Sequence, residues 1–319
     1  MATKNHTVIS GFILLGFTRD PATNIELFVL FFMIYVVTVA GNGLIMCMVF
    51  INPQLHKPMY FFLCMLSILD MCYSSTAVPR LLGDLISADR SISYGACAVQ
   101  IYVILLVEGS ECLLLALMAY DRYVAICQPL YYSVLMRWSV CYKLAAVILI
   151  ASFTMCVFPS FFMQVTLCGD QINHFMCELL AILKLSCMDI SSNELLIFSI
   201  SFLSLLLPLV LIIVSYGCII ASVLKIRTAG RSKAFSTCTS HLAVVALYFG
   251  TVMLMYFGPS SQYSTNQEKY SSIFYVILST MLNPLIYSLN NREVKDTFRK
   301  QVSKLNHFIF SNVLTFKTK

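Results

Sequence analysis

The chain has 319 residues, of which 59% are hydrophobic and only 11% are charged. A soluble domain usually carries about 25% charged residues, so this composition excludes an ordinary globular protein and indicates a membrane protein. The net charge of +6 does not indicate a nucleic-acid partner, because the basic residues gather in the loops of one side. This one-sided distribution of basic residues instead predicts membrane lipid as a partner.

Seven apolar stretches are long enough to cross a bilayer, for which about 20 mostly apolar residues are needed. None of them alternates with period two, and lipid offers no partner to unpaired backbone groups, so each must be a helix. The sequence therefore predicts an all-α membrane protein with one seven-helix transmembrane domain over residues 25–290. Its helices are expected at about residues 25–50, 58–83, 94–127, 139–164, 195–226, 236–258 and 270–290.

Most of the 21 Lys and Arg residues fall on the inner side if the N-terminus lies outside. Residues 1–24 are then an extracellular N-terminus, and residues 291–319 are a cytoplasmic tail beside anionic inner-leaflet lipid. Val294, Phe298 and Val302 recur every four residues among basic residues, which predicts a short amphipathic eighth helix at the interface. A solvated tail is the alternative.

Two features of the predicted outer side point to an oxidising, secretory compartment. Asn5-His6-Thr7 is a glycosylation sequon. Four of the 13 cysteines also fall outside the membrane, and an even number there implies two disulfides. The sequence alone does not choose among the three possible pairings of Cys97, Cys168, Cys177 and Cys187.

Three acidic residues, Asp70, Glu108 and Glu111, lie within predicted helices, where ionisable groups are costly and usually functional. Asp70 and Glu111 are expected in one buried polar cluster with Asn42 and Asn283. Cation binding, a shared proton and plain hydrogen bonding remain open for this cluster.

The third helix closes on Asp121-Arg122-Tyr123. An Arg at the end of a membrane helix must be paired or reach water, and Asp121 supplies a countercharge. We expect Arg122 to pair with Asp121 at rest and to move toward Tyr216 and Tyr287 on activation.

The seventh helix carries Asn283-Pro284 near its predicted inner end. Proline inside a helix removes a hydrogen bond and permits a kink, which would allow Tyr287 to swing while the outer half of the helix stays in place. These residues complete the predicted coupling switch.

Five motifs resemble the odorant receptor family, a branch of the rhodopsin-like G-protein-coupled receptors, in its class II (tetrapod-type) subgroup. The motifs are Leu55–Leu63, Met118–Cys127, Ser215-Tyr216, Lys233–Leu242 and Pro284–Leu289, and the resemblance covers nearly the whole chain. Thr280, where the family usually has Pro, is a departure from its pattern. So is Tyr248-Phe249-Gly250, where the family usually has Phe-Tyr-Gly.

This resemblance implies a multi-pass plasma-membrane receptor, not an enzyme, without cofactor or metal. It would bind a small, mostly hydrophobic odorant and activate a stimulatory, olfactory-type G protein to raise cyclic AMP. It also implies the pairs Cys97–Cys177 and Cys168–Cys187. A non-sensory receptor of the same fold is the main alternative, and a small-molecule transporter is a remote one because no internal repeat is evident.

The ligand pocket is expected in the outer half of the bundle, on residues that share inward faces at helical spacing. Several of these residues are expected to be core packing only. Glu108 is expected to set ligand polarity, through a hydrogen bond with Ser201, Ser204, Tyr256 or a ligand donor, or else to make a structural hydrogen bond. The candidate residues are Ile104, Leu105, Glu108, Gly109 and Cys112 on the third helix, Ile200, Ser201 and Ser204 on the fifth, Val252, Met253 and Tyr256 on the sixth, and Ile273 and Ile277 on the seventh.

Overall fold

The structure is a computed structural model that describes residues 11–163, 165–225, 228–257, 269, 272–290 and 294–299. Seven long helices, α1 to α7, form its bundle. Five of them are long and apolar enough to cross a membrane, and α6 and α7 contribute the shorter apolar segments Cys238–Met253 and Val276–Tyr287. The helices are α1 Pro21–Ile51, α2 Pro58–Ile86, α3 Tyr94–Cys127, α4 Trp138–Phe162, α5 Ser191–Val223, α6 Thr228–Phe257 and α7, which consists of Phe274–Ser279 followed by Thr280–Asn290.

The predicted seven-helix bundle is confirmed, and α3 has the predicted bounds. Three helices begin four or more residues earlier than predicted: α1, α6 and also α5, which begins at Ser191 and not at about residue 195. α1 begins at Pro21 because Asp20 caps it: the Asp20 carboxylate accepts a hydrogen bond from the Thr23 backbone N–H at 2.9 Å, and proline suits the first helical position. α6 begins at Thr228, about two turns before the predicted apolar start, because its polar first turns remain helical.

α3 lies at the centre of the bundle and packs against α2, α4, α5 and α6. In its most apolar stretch 61% of the residues are buried, against 22% in α1 and in α5. The outer faces of α1 and α5 instead carry exposed aliphatic side chains such as Leu30, Leu207 and Leu211. An exposed apolar face of this extent suits a lipid environment.

Two helices depart from α-helical geometry. α4 becomes π-helical at Phe153–Val157 and then 3-10 helical at Phe158–Phe162. The first part of α7, Phe274–Ser279, is also π-helical. A π-helical turn rotates the residues before it relative to those after it, and such turns are frequent at functional sites.

Short elements join the long helices. The intervening loops contain three of them, Pro53–Leu55, Tyr132–Leu135 and Leu179–Leu183. Residues 294–299 of the tail are helical, with Val294 buried and Phe298 exposed. Val302 of the predicted eighth helix lies outside the described residues, as does the sequon at Asn5.

The bundle is capped on its outer side by a small sheet that the all-α prediction did not include. β1 (Gly11–Leu14) pairs antiparallel with β2 (Ser91–Ser93) and parallel with β3 (Gln171–Ile172). Within β1, Phe12 and Leu14 are buried beneath the sheet, whereas Ile13 faces outward. A run of four residues is too short for the alternation to have been distinguished from a loop.

Candidate functional site

A pocket of about 80 Å³ opens in the outer half of the bundle between α3, α4, α5 and α6, beneath the second outer loop. Nine of the thirteen predicted ligand residues line it, all of them on α3, α5 and α6. The predicted residues that line the pocket are Ile104, Leu105, Glu108, Gly109, Cys112, Ile200, Ser201, Ser204 and Val252.

The two residues predicted on α7, Ile273 and Ile277, do not line this pocket in the part of the chain that the structure describes. Ile277 is only 1% exposed and belongs to the main hydrophobic core, against which Ile273 also packs. Their assignment assumed α-helical spacing, which the π-helical geometry of Phe274–Ser279 breaks. Met253 is half-buried away from the pocket, and the Tyr256 side chain lies outside the described part of the chain.

Several pocket residues were missed because they come from the second outer loop and from α4. The segment Glu178–Leu180 covers the pocket, and Met163 and Cys156 close its side. Cys156 also lies against Gly109: a Cβ atom at position 109 would stand 2.8 Å from the Cys156 Sγ. Glycine at 109 therefore permits the close approach of α4 to α3.

Glu108 has a different partner from those predicted. The Tyr73 hydroxyl on α2 donates a hydrogen bond to Glu108 Oε1 at 3.0 Å, in place of the expected Ser201, Ser204 or Tyr256. The Ser204 hydroxyl instead donates to the Ser201 carbonyl oxygen at 3.1 Å. One oxygen of the Glu108 carboxylate thus makes a structural hydrogen bond within the bundle, which was the alternative to a role in setting ligand polarity.

Tyr248 ties α6 to α3 at the floor of the pocket. Its hydroxyl donates to the Glu108 carbonyl oxygen at 2.8 Å and lies 3.0 Å from the Cys112 Sγ. Because the single hydroxyl proton goes to the carbonyl, the Cys112 thiol is the donor in the second contact. Tyr248 lies four residues before the predicted Val252, so helical spacing on α6 could have identified it.

The second outer loop, which connects Phe162 at the end of α4 to Ser191 at the start of α5 and is called the lid below, is held by two disulfides. Cys97 at the start of α3 is bonded to Cys177, and Cys168 is bonded to Cys187, which are the pairs that the resemblance implies. Cys97 and Cys177 are fully buried together with Phe12 and Leu14 of β1. The first disulfide therefore joins the lid, α3 and the N-terminal strand in one outer core.

His174 organises the lid from within. The Met176 backbone N–H donates to His174 Nδ1 at 3.3 Å, so the proton lies on Nε2, which is 3.2 Å from the Glu178 carboxylate and 3.3 Å from the Ser272 hydroxyl. Burial, with the nearby Lys269 and Lys184 charges, lowers the pKa of His174 to about 3. The contact with Glu178 is therefore a hydrogen bond from a neutral imidazole and not an ion pair.

Two cations from outside the lid also hold the N-terminal segment, namely Arg90 from the loop before α3 and Lys269 from the segment before α7. The Arg90 guanidinium donates to the Leu15 carbonyl oxygen at 2.8 Å and to the Thr18 carbonyl oxygen at 3.0 Å. Lys269 Nζ donates to the Gly16 carbonyl oxygen at 2.8 Å, and burial lowers the Lys269 pKa. Gly16 has a φ of 63°, a backbone conformation that glycine adopts most readily.

At the inner end of α3 Asp121 and Arg122 lie within electrostatic range of each other, and their pairing at rest stays a prediction. Asp121 is buried, and its carboxylate accepts a hydrogen bond from the Tyr132 hydroxyl at 2.9 Å. Within the described chain no ion pair shorter than 4 Å joins it to Arg122. Arg122 is half-buried and lies within electrostatic range of Tyr216 and Tyr287, toward which it was expected to move. Its neighbour Tyr123 accepts a hydrogen bond from Gln128 through its hydroxyl, at 3.1 Å.

A second contact, which the sequence reasoning missed, joins three helices beneath the pocket. His241 Nε2 donates to the Leu115 carbonyl oxygen at 3.1 Å, so Nδ1 is unprotonated and accepts from the Tyr216 hydroxyl at 2.8 Å. The chain Tyr216–His241–Leu115 links α5 to α6 and α3. His241 lies in one of the five resemblance motifs, but its partners come from α3 and α5, which the motif itself does not reveal.

The predicted polar cluster is formed in part. The Asn283 side-chain amide donates to both Asp70 carboxylate oxygens at 3.0 and 3.1 Å, and Asn42 donates to the Thr280 carbonyl oxygen at 3.2 Å. Glu111 is buried on α3, and its membership of the cluster remains a prediction. The cluster ties α7 to α1 and α2 within the bundle.

Pro284 follows this cluster and packs closely against α1. A Cβ atom at Gly41 would stand 3.1 Å from the Pro284 ring, so glycine at that position lets the two helices meet. One turn later Tyr287 is buried, and its hydroxyl has no hydrogen-bond partner among the described residues. Tyr287 could therefore gain a hydrogen bond by moving.

The described helices are arranged as in a solved receptor. Squid rhodopsin matches 88% of this chain and 81% of its own, with a TM-score of 0.72 and 17% sequence identity. Likeness at this identity shows the fold alone. The fold is that of a rhodopsin-like seven-helix receptor.

The sequence comparisons identify the branch. A family model described as "Olfactory receptor" matches residues 31–305. Olfactory receptor 2B6 of Mus musculus is 46% identical over 308 residues, covering 96% of this chain and 98% of its own. Olfactory receptor 2B2 of Homo sapiens is 45% identical over 303 residues, covering 94% and 85%. The chain belongs to the olfactory receptor family, and is therefore a G-protein-coupled, multi-pass plasma-membrane receptor and not an enzyme.

Proposed function

We propose that this receptor binds a small, volatile, mostly hydrophobic odorant in the outer pocket and activates a stimulatory, olfactory-type G protein that raises cyclic AMP. The observation that carries the proposal is the Tyr248 contact. This single side chain lines the pocket and bonds α6 to α3. A ligand that displaces or strengthens this contact changes how α6 sits against α3.

The size and chemistry of the pocket support an odorant as ligand. Its volume of about 80 Å³ is several times the roughly 10–15 Å³ that holds one water, so a ligand of roughly five to eight non-hydrogen atoms fits. Aliphatic side chains such as Leu105, Ile200 and Val252 line most of it, with a few polar groups among them. This balance is typical of sites for small apolar ligands.

The inner contacts support a switch that the ligand controls. Ligand binding shifts an existing equilibrium between bundle arrangements. The Tyr216–His241–Leu115 chain is joined in this structure, and we propose that it breaks in the other arrangement. In the active arrangement Arg122 faces the G protein, together with the inner ends of α5 and α6. The inner ends of α5 and α6 are positioned by the other switch residues, which are Asp121, Tyr123, Asn283, Pro284 and Tyr287.

The topology that accompanies this function has residues 1–24 outside, the bundle at residues 25–290 and a cytoplasmic tail at residues 291–319. The tail helix lies on anionic inner-leaflet lipid. Glycosylation at Asn5 accords with this orientation. A protease added to intact cells should therefore remove an N-terminal tag and spare a C-terminal one.

The test is a panel of small odorants applied to cells that carry the receptor and a stimulatory, olfactory-type G protein, with cyclic AMP as the readout. A concentration-dependent rise that the Arg122→Ala variant lacks at equal surface level supports the proposal. A response only through another G-protein class contradicts the stimulatory assignment. Uptake of the odorant into receptor vesicles without any cyclic-AMP response would instead favour a transporter.

A further inference from the structure

The pocket contains more hydrogen-bond acceptors than free donors. Three of its donor protons are already committed within the protein: Ser204 to the Ser201 carbonyl oxygen, Tyr248 to the Glu108 carbonyl oxygen and Cys112 to the Tyr248 hydroxyl. The acceptors include two carboxylates, Glu108 from α3 and Glu178 from the lid. A ligand with hydrogen-bond donors of its own would therefore bind to the acceptors of this pocket.

Glu108 is the group best placed to receive such a donor. Its Oε1 is occupied by Tyr73 at 3.0 Å, whereas Oε2 accepts no hydrogen bond from any described residue. The side chain is half-buried in the protein and lines the pocket. A carboxylate oxygen in an apolar cavity that lacks a partner is costly, so a ligand that supplies a proton to Oε2 gains more there than in water.

The charges around the cavity favour a cation over a neutral donor. The Glu178 carboxylate lies within electrostatic range of Glu108, and the described lining contains neither Lys nor Arg. Two carboxyl groups in one apolar cavity are not readily ionised together unless a cation lies between them. An ammonium group between them removes the repulsion between the two charges and forms charge-assisted hydrogen bonds, which are about twice as strong as neutral ones.

We infer that the ligand class of this pocket is small aliphatic amines, bound as ammonium ions with Glu108 as the anchor and Glu178 as the second carboxylate. The inference rests on the proposed odorant-binding function and deepens it. The hydrocarbon part of the amine lies against Leu105, Ile200 and Val252, and the pocket volume limits it to about the size of a six-membered ring.

The test uses three ligands of matched size: cyclohexylamine, cyclohexanol and methylcyclohexane. Binding is measured as thermal stabilisation of the purified full-length receptor, which needs no G protein, and signalling as cyclic AMP in cells. The amine should bind at least about tenfold more tightly than the alcohol, and the hydrocarbon more weakly than both. Glu108→Gln keeps the Tyr73 contact, and it should lower amine affinity about tenfold or more while changing alcohol affinity less than about threefold.

Glu178→Gln is the second variant, and it should weaken amine binding in the same direction. Glu194→Gln, an exposed acid at the start of α5 outside the pocket, is the matched control and should leave all three ligands unchanged. If the amine binds no better than the alcohol, or if both pocket variants weaken amine and alcohol equally, the inference is overturned. If neutral odorants then still raise cyclic AMP, the proposed function stands; if no ligand in a wide panel binds, both fail.

Discussion

Loss of the Cys97–Cys177 disulfide should destabilise the outer side of the receptor more than loss of Cys168–Cys187. The first bridge closes a loop of 80 residues and the second a loop of 19. The chain-entropy relation gives about 4.5 kcal/mol for the longer loop and about 3.2 kcal/mol for the shorter one. Both figures are upper limits, because the membrane already confines the ends of the unfolded chain. Burial adds to the difference, since Cys97 and Cys177 are fully buried.

The assay measures surface level and thermal unfolding of the purified receptor. It compares Cys97→Ser, Cys177→Ser and the variant that carries both of these substitutions against Cys168→Ser alone. One bridge acts as a unit, so either single substitution should cost as much as both together. Cys72→Ser, at an exposed free thiol, controls for the chemical change. A larger loss from Cys168→Ser than from Cys97→Ser, or additive losses in the double variant, would refute this reasoning.

Three further predictions concern the switch, the sheet and the lid. Arg122→Ala should abolish cyclic-AMP signalling while ligand stabilisation of the purified receptor persists; loss of both would mean that Arg122 is needed for folding. Gly11→Ala should lower the unfolding temperature, because its Cβ would stand 2.6 Å from the Ile92 carbonyl oxygen; Gly95→Ala, which meets no neighbour, should not. The His174 pKa of about 3 lies below the ordinary 6.5, so the unfolded state alone binds this proton between these values. The contribution of His174 to the free energy of unfolding should therefore be constant above pH 6.5 and fall below it, by at most about 1.4 kcal/mol per pH unit. If His174→Gln leaves the pH dependence of stability between pH 6.5 and 5 unchanged, that dependence does not come from His174.

The long helices were predictable because hydrocarbon leaves the backbone no other choice, so length and apolarity identified them. The helix starts that the sequence did not predict depend on polar residues at the helix ends. α1 starts where Asp20 can cap it, and the start of α6 at Thr228 carries no apolar signal. The strand at Gly11–Leu14 forms only because two distant loops pair with it, and no property of four residues reveals such partners.

The pocket was predictable to the extent that it depends on one helix at a time. Regular spacing along α3 brought Ile104, Glu108 and Cys112 to one face, as expected. The partner of Glu108 was not predictable, because Tyr73 reaches it across an interface 35 residues away in sequence. The pocket wall that the lid contributes was not predictable either, because a disulfide folds the lid back over the bundle and helical periodicity does not describe such a loop.

The outer sheet has a consequence for how the protein is made. β1 emerges first during synthesis, but its parallel partner β3 follows about 160 residues later. Until then the core that buries Phe12 and Leu14 lacks Ile172 and Cys177, and an exposed apolar segment invites wrong association. The N-terminal strand must therefore wait in the lumen while four helices and their loops are inserted. Proteins that shield this strand during that interval would determine how many chains mature.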